Sequence, residues 1–477
     1  MALRVYNTLT RSKQDFVPVS PGKVGIYLCG PTVYSDCHIG HLMGPVLFDA
    51  VARWFAARGF AVRFVNNITD IDDKIIDRAR ASGEDWTLIT ERYLAQYLGL
   101  LQRLHVTSIT DHPRCTNYVR LMIVYIADLV EKGRAYVASD GVYFDVRQQP
   151  GYGKLSNRKL DDMTADAEKD AKVAGGLRHP ADFALWKLVK PGEPSWPSQW
   201  GSGRPGWHIE CSVMSLHTLG ETFDIHAGGE ELKFPHHENE IAQGEAHGGE
   251  YARCWMHNNL VQFQGAKVSK SDPRMRDAAF AGQFKALNVV DTHGGAAVRL
   301  LLLSGHYRRP VDFAPEVIAA VKTSLAKLHR LLGAALDAPV TTNDVLTRPL
   351  PEAVARHRDA FAAAMDDDFN TAAAIAELHG LAAIARAGSA DAEAALLALR
   401  DLGRIIGLFQ PGDAAAAPAG ADDATLAKVM ALVLELRQRA RANRDFAQSD
   451  LIRDRLKDAG ITVKDNKDGA AWELVRF

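Results

Sequence analysis

The chain has 477 residues, 47% of them hydrophobic and 24% charged, with a formal net charge of −2. That length divides into roughly three or four domains, and the near-neutral balance excludes indiscriminate polyanion binding, so any contact with nucleic acid must come from local basic patches. No apolar run approaches the roughly 18 residues of a membrane span, and five scattered cysteines do not make a disulfide framework.

The opening residues, MALRVYNTLTRSKQDF, lack the apolar core of a signal peptide, so the expected compartment is the reducing cytosol. Val24–Cys29 is a short apolar run followed by the turn residues Gly30-Pro31, and a helical pattern runs from Leu42 to about Arg58, closed by Gly59. Phe60–Val65 is a second β-rich run. Together they form a βαβ unit, the mark of a parallel sheet that receives ligands at its strand C-termini. We assign residues 1–122 to the first half of this domain. Over residues 123–205 the pattern loosens into short segments such as Gly141–Asp145, with Gly/Pro-rich stretches at 150–153 and 191–206, and reads as an insertion between two sheet halves. The second half is expected at 206–265, with a loop region at 266–314. Regular helical periodicity from about Pro315 to about Phe409 predicts a helix bundle over 315–410. Residues 411–423 (PGDAAAAPAGADD) have linker composition, and 424–477 read as a separate module of two helices and two short strands meeting around Asn466–Gly469. The expected fold class is therefore α/β: a Rossmann-type parallel-sheet domain with an insertion, an α-helical bundle and a small C-terminal α+β module.

Three motifs carry chemistry. His38-Ile-Gly-His41 lies after the first strand and opens the first helix, where backbone amides, the helix dipole and two imidazoles can hold nucleotide phosphates; capping or surface roles are the alternative. Gly40, without a Cβ, would let an adenine ring approach the backbone. Lys267-Val-Ser-Lys-Ser271 is a polar loop whose two lysines can grip a leaving pyrophosphate, or merely face solvent. The third is a dispersed ligand set. Pro235 suits the first turn of a helix, which would make His236 and Glu240 i,i+4 neighbours on one face; with Cys29 and Cys211 they would form a Cys₂HisGlu zinc site. His237 falls off that face and competes with His236 for the role, and the alternative is two buried cysteines beside a polar helix start. Thr69–Lys74 reads as an acid-rich helix start rather than a Mg²⁺ cluster. Trp207, His208 and His226 suit a substrate pocket and an ordinary core equally. Arg437, Arg439, Arg441 and Arg444 offer a basic strip for RNA, or a solvated helix face.

Taken together, these residues resemble the class I aminoacyl-tRNA synthetases, and within them the cysteinyl-tRNA synthetase family. The marks are Cys29–Tyr34 leading into His38–His41, Asn67–Lys74, Gly206–Cys211, Phe234–Glu240 and Ser304–Arg308. The resemblance implies zinc on Cys29, Cys211, His236 and Glu240, ATP with Mg²⁺ on His38, Gly40, His41, Lys267 and Lys270, and cysteine against Thr69 and Trp207. It implies further that cysteine is adenylated and then transferred to the 3′ end of tRNA(Cys), by a monomer. Two alternatives stand beside it: a ligase of the same fold acting on an amino sugar, and a catalytically silent amino-acid- or RNA-binding paralogue. The sequence departs from the family pattern at Val268, where Met is usual, at Asp272-Pro273-Arg274 and at Glu230-Glu231; the 278–297 segment also matches poorly.

Overall fold

Short aliphatic strands alternating with amphipathic helices can bury both sheet faces only as a parallel, helix-covered layer. The computed structural model, which describes residues 2–160, 163, 177–266, 273–338, 344–413, 423–443, 445–458, 461–466 and 469–474, has that layer. Its strands lie in the order Ala252–Asn258, Phe223–Gly229, Lys23–Leu28, Ala61–Asn66, all parallel. Lys23 faces Ala61 and Leu28 faces Asn66, and helix Gly40–Ala57 makes the crossover between these two strands. That helix buries a wide face, including Leu42, Val46, Phe48, Trp54 and Phe55, because it is packed on the sheet on one side and on the bundle on the other. Trp54 Nε1 donates to Asp366 Oδ1 at 3.1 Å, tying sheet layer to bundle.

The described residues of the region read as loosened carry more regular structure than its composition suggests. Helix Cys115–Glu131 runs straight through position 123, and the strands Ala135–Val137, Gly141–Phe144, Phe183–Leu188 and Gly203–Pro205 form an antiparallel sheet whose Phe144 and Trp186 belong to the same buried cluster as Tyr27 and Trp255 of the parallel sheet. These antiparallel strands are three to six residues long and interrupted by Gly and Pro, which is why periodicity was faint. The bundle consists of helices Pro315–Leu332, Glu352–Asp366, Thr371–Arg386 and Ala392–Ile405.

The chain divides into two compact units, Met1–Ala414 and Ala415–Phe477, and the division falls inside the stretch read as a linker. The second unit consists of helices Asp423–Ala442 and Phe446–Asp458 followed by a hairpin in which Ile461 faces Leu474 and Asn466 faces Gly469.

Candidate active site

The strand Lys23–Leu28 delivers Cys29 to the C-terminal edge of the parallel sheet. The turn after it is tight: Gly30 N–H donates to Asn67 Oδ1 at 2.8 Å, and a Cβ on Gly30 would stand 1.6 Å from the Asn67 carbonyl oxygen, so only glycine fits. Helix Trp207–Leu219 brings Cys211 under the same edge, 3.7 Å from Cys29 sulfur to sulfur. Glu240 Oε1 lies 3.6 Å from Cys29 Sγ and 3.2 Å from His236 Nε2. The ligand atoms of Cys29, Cys211, His236 and Glu240 all lie within 4.8 Å of one another, and three of the four residues are buried. Two thiols, one imidazole and one carboxylate converging so closely suit a tetrahedral zinc ion.

Two local expectations are corrected. Pro235 does not open the helix: it lies in a wide turn over Lys233–His237, in which Phe234 is extended (φ −140°, ψ 132°), and the helix begins at Glu238. Nor does His237 point away. Its Nε2 lies 3.3 Å from Cys29 Sγ and its Nδ1 2.8 Å from His257 Nε2, and His257 Nδ1 lies 2.9 Å from Thr8 Oγ1. The wide turn breaks helical spacing, so residues one position apart both reach the thiol. Cys29, His226, His237 and Glu240 form a second converging set through the same two shared groups. Glu240 is held from behind: His226 Nε2 lies 2.8 Å from its Oε2, and Tyr251 donates to that oxygen at 3.1 Å. Such outer partners fix the direction in which a ligand carboxylate points. Burial pushes the Cys29 thiol well above its ordinary value and the His236 imidazole down to about 3, so His236 is neutral and one ring nitrogen has its lone pair available.

Of the two residues assigned to a cysteine pocket, Trp207 touches this cluster and Thr69 is linked to it through Asn67, whose Oδ1 lies 3.8 Å from Cys211 Sγ. Trp207 is 36% exposed and stacks on His236 with ring centroids 4.2 Å apart. Buried Thr69 places Oγ1 2.9 Å from Glu210 Oε2, and Asn67 Nδ2 lies 3.4 Å from the Thr69 hydroxyl. His208, one of the undecided residues, places Nδ1 3.0 Å from His236 Nδ1. The acidic run does start a helix: Asp72 caps Asp73–Ser82, accepting from Lys74 N at 3.0 Å. Asp70 instead takes the amide and hydroxyl of Thr116 at 2.9 and 2.7 Å, at the start of the next helix but one.

His38 and His41 are exposed at the start of helix Gly40–Ala57, with their rings stacked at 3.7 Å. Gly40 has a local reason to be glycine, since a Cβ there would sit 3.0 Å from the His38 ring. The loop is braced by the segment after residue 278, with Ile39 N donating to Phe284 O at 2.9 Å and Ala286 N to Cys37 O at 2.8 Å. Lys267 and Lys270 lie outside the described residues, as does Arg444. In the second unit Arg439 and Arg441 are exposed, but Arg437 is buried and does not extend a surface strip. Glu210, Tyr251, His257 and Asn67 had no role assigned from sequence; an acid inside the apolar stretch Trp207–Met214 was the one available signal, for Glu210.

Comparison with known proteins follows the same lines. Residues 15–323 match the family described as tRNA synthetases class I (C) catalytic domain, residues 360–410 a DALR domain, and residues 427–472 the cysteinyl-tRNA ligase anticodon binding domain. The chain is 44% identical to the cysteine–tRNA ligase of Chromohalobacter salexigens, over 98% of this chain and 99% of that one, and 45% identical to that of Alkalilimnicola ehrlichii with the same coverage. Among solved structures it resembles Mycobacterium tuberculosis methionyl-tRNA synthetase in complex with methionyl-adenylate (TM-score 0.56, 14% identity, 80% of this chain and 89% of that one). It also resembles a leucyl-tRNA synthetase from Agrobacterium radiobacter in a ternary complex (TM-score 0.59, 14% identity, 85% and 86%). At that identity the structures show a shared fold.

Proposed function

The chain belongs to the class I aminoacyl-tRNA synthetases, in the cysteine–tRNA ligase family, and from that premise we propose how its residues divide the work. It activates L-cysteine with ATP, releasing pyrophosphate, and passes cysteine to the 3′-terminal adenosine of tRNA, releasing AMP. The cysteine carboxylate is itself the nucleophile toward the α-phosphate, so the first step needs no general base, and catalysis rests on positioning and charge stabilisation. His38 and His41 hold the phosphates of ATP, which enters as its magnesium complex; Lys270, with Lys267, stabilises charge on the departing pyrophosphate. A ribose hydroxyl of the terminal adenosine, the 2′ one by class I resemblance, attacks the adenylate in the second step.

The observation that carries the amino-acid assignment is the convergence of Cys29, Cys211, His236 and Glu240 beside Trp207 and Thr69. These four residues would hold one zinc ion, which when bound supplies a soft Lewis acid for the substrate thiol. Apolar packing separates near-isosteres such as cysteine and serine by only about 10²-fold. A serine hydroxyl offers this site no soft donor, so the donor set adds what shape cannot, and no serine-hydrolysing site is required.

The bundle and the C-terminal unit hold the tRNA, the latter with Arg439 and Arg441 toward the anticodon end. The match over 427–472 to an anticodon-binding domain favours a tRNA acceptor over an amino sugar. We place the reaction in the cytosol, where ATP and tRNA are both at hand, and assign it to a monomer as part of the same reading. ATP–pyrophosphate exchange with each standard amino acid tests the reading: cysteine alone should drive it, and exchange driven better by another amino acid would overturn it.

A further inference from the structure

Tyr27 lies two residues before Cys29, on the strand Lys23–Leu28, and the alternation of that strand sorts its side chains by face. Val24, Ile26 and Leu28 belong to the core shared with the helix bundle, whereas Tyr27 and Cys29 turn to the opposite side, where Cys211 and its helix pack. The parallel register places Tyr27 in a row across the sheet: Trp255 pairs with His226, His226 with Tyr27, and Tyr27 with Val65. All four side chains are buried, and His226 is the residue that braces Glu240. The row thus lies against the ligand cluster.

A phenylalanine would fill the Tyr27 position equally well. The Tyr27 hydroxyl is buried and, among the described residues, has no hydrogen-bond partner of good geometry, a state that costs stability. The polar groups it adjoins are those of the cluster, Cys211 foremost, then Cys29 and Glu240. A phenol keeps its proton at neutral pH and can give it to one acceptor. A cysteine thiol is a weak acceptor, but a metal-bound thiolate is a charged one with no proton of its own. The other near neighbours of Cys211 Sγ are Cys29 Sγ at 3.7 Å and Asn67 Oδ1 at 3.8 Å; with both cysteines ionised, neither has a proton to offer. We infer that Tyr27 is a positioning residue for the metal: its hydroxyl donates to the Cys211 thiolate, fixing the direction of that sulfur and sharing its charge. This rests on the reading that Cys29, Cys211, His236 and Glu240 hold zinc.

Tyr27→Phe in the full chain removes the hydroxyl and leaves the ring. Zinc affinity is read by competition with a chromogenic chelator, the sulfur environment by the absorption spectrum of the cobalt-substituted protein, and stability by urea unfolding in a fixed zinc excess and after zinc is stripped. The variant should bind zinc about 10- to 100-fold more weakly, the usual effect of deleting a hydrogen bond to a metal ligand. Its sulfur-to-cobalt charge-transfer band should move to lower energy, because a thiolate that loses a hydrogen bond gives up its electrons more readily. The urea midpoint should fall for the zinc-loaded variant but hold or rise for the stripped one, since only the loaded site uses the hydroxyl. Equal loss of stability in both states, or a stripped variant that fails to fold where stripped wild type folds, would make Tyr27 a residue of the fold and overturn the inference. Zinc affinity within about twofold of wild type, with the cobalt band unmoved, would overturn it alone and leave the zinc reading standing. A wild-type chain that binds no zinc would remove that reading and this inference together.

Discussion

Replacing Asp49 by Asn should destabilise the larger unit by about 3–5 kcal/mol at neutral pH without abolishing cysteine activation by the molecules that remain folded. Asp49 sits midway along the helix that begins at His38–His41, and its side chain and that of Arg299 are both fully buried. Asp49 Oδ2 meets Arg299 Nη2 at 2.5 Å and Arg53 Nε at 2.7 Å; Oδ1 accepts from Thr107 N, Ser108 N and Ser108 Oγ at 3.0, 2.9 and 2.6 Å. Arg299 also donates to the carbonyls of Ile406 and Leu104 at 3.0 and 2.9 Å, so one guanidinium pins the end of the bundle to the active-site helix. A neutral amide leaves that guanidinium buried without its counter-charge. Burial works against the charge of Asp49, but Arg299 and Arg53, with hydrogen bonds from Ser108, hold its carboxyl at about 2 rather than the ordinary 3.8. A depressed folded value means stability that is complete above the unfolded value and is lost as pH falls toward the folded one, here about 2 kcal/mol in all. Urea unfolding of wild type and Asp49→Asn should therefore show a gap of about 3–5 kcal/mol at pH 7 that narrows by about 1 kcal/mol between pH 5 and pH 3. A gap below about 1 kcal/mol, or one indifferent to pH, would refute the reasoning.

Three further outcomes are expected. Lys270→Ala should lower pyrophosphate exchange by about 10²-fold or more while cysteine binding changes little, and exchange near the wild-type rate would remove Lys270 from the mechanism. A chain ending near Phe409 should still form cysteinyl-adenylate but charge tRNA poorly, because the division at residue 414 lies beyond the catalytic unit's core; undiminished charging would sink the role given to the C-terminal unit. Cys211→Ser should lose bound zinc, read by metal analysis, together with its preference for cysteine over serine in exchange. Retention of both would exclude Cys211 as a ligand.

What the sequence made legible depended on how far apart the cooperating residues stand. The βαβ unit was readable because Val24–Cys29, the helix after Leu42 and Phe60–Val65 are contiguous and strongly patterned, and the C-terminal hairpin because Asn466–Gly469 is turn chemistry. The metal cluster joins residues up to 211 positions apart, and no spacing rule links Cys29 to Glu240; ligand chemistry proposed that set beside a buried-core alternative, the resemblance implied the same four, and the fold brings them together. Helical spacing set His236 on the ligand face and His237 off it, whereas the backbone makes a wide turn there and brings His237 to the Cys29 thiol as well. Asp49 and Arg299 lie 250 positions apart, and each would pass for a surface charge on a helix. Glu210 was quoted within a motif but had no role there, because its partner Thr69 stands 141 residues earlier. Local patterns register what a residue does with its neighbours in the chain, whereas this site joins a strand end at Cys29 to a turn and two helices that carry His236, Cys211 and Glu240, elements that meet only in the folded chain.

The most direct measurement of the central claim is charging of tRNA(Cys) by the purified full chain with cysteine and with serine, alongside its zinc content. We predict one zinc per chain and a cysteine-over-serine ratio in kcat/KM well above the roughly 10²-fold that packing alone achieves, with no serine transferred and hydrolysed. A chain that charges cysteine without zinc, or that separates the two amino acids by only about 10²-fold, would contradict selection by the Cys29/Cys211/His236/Glu240 site.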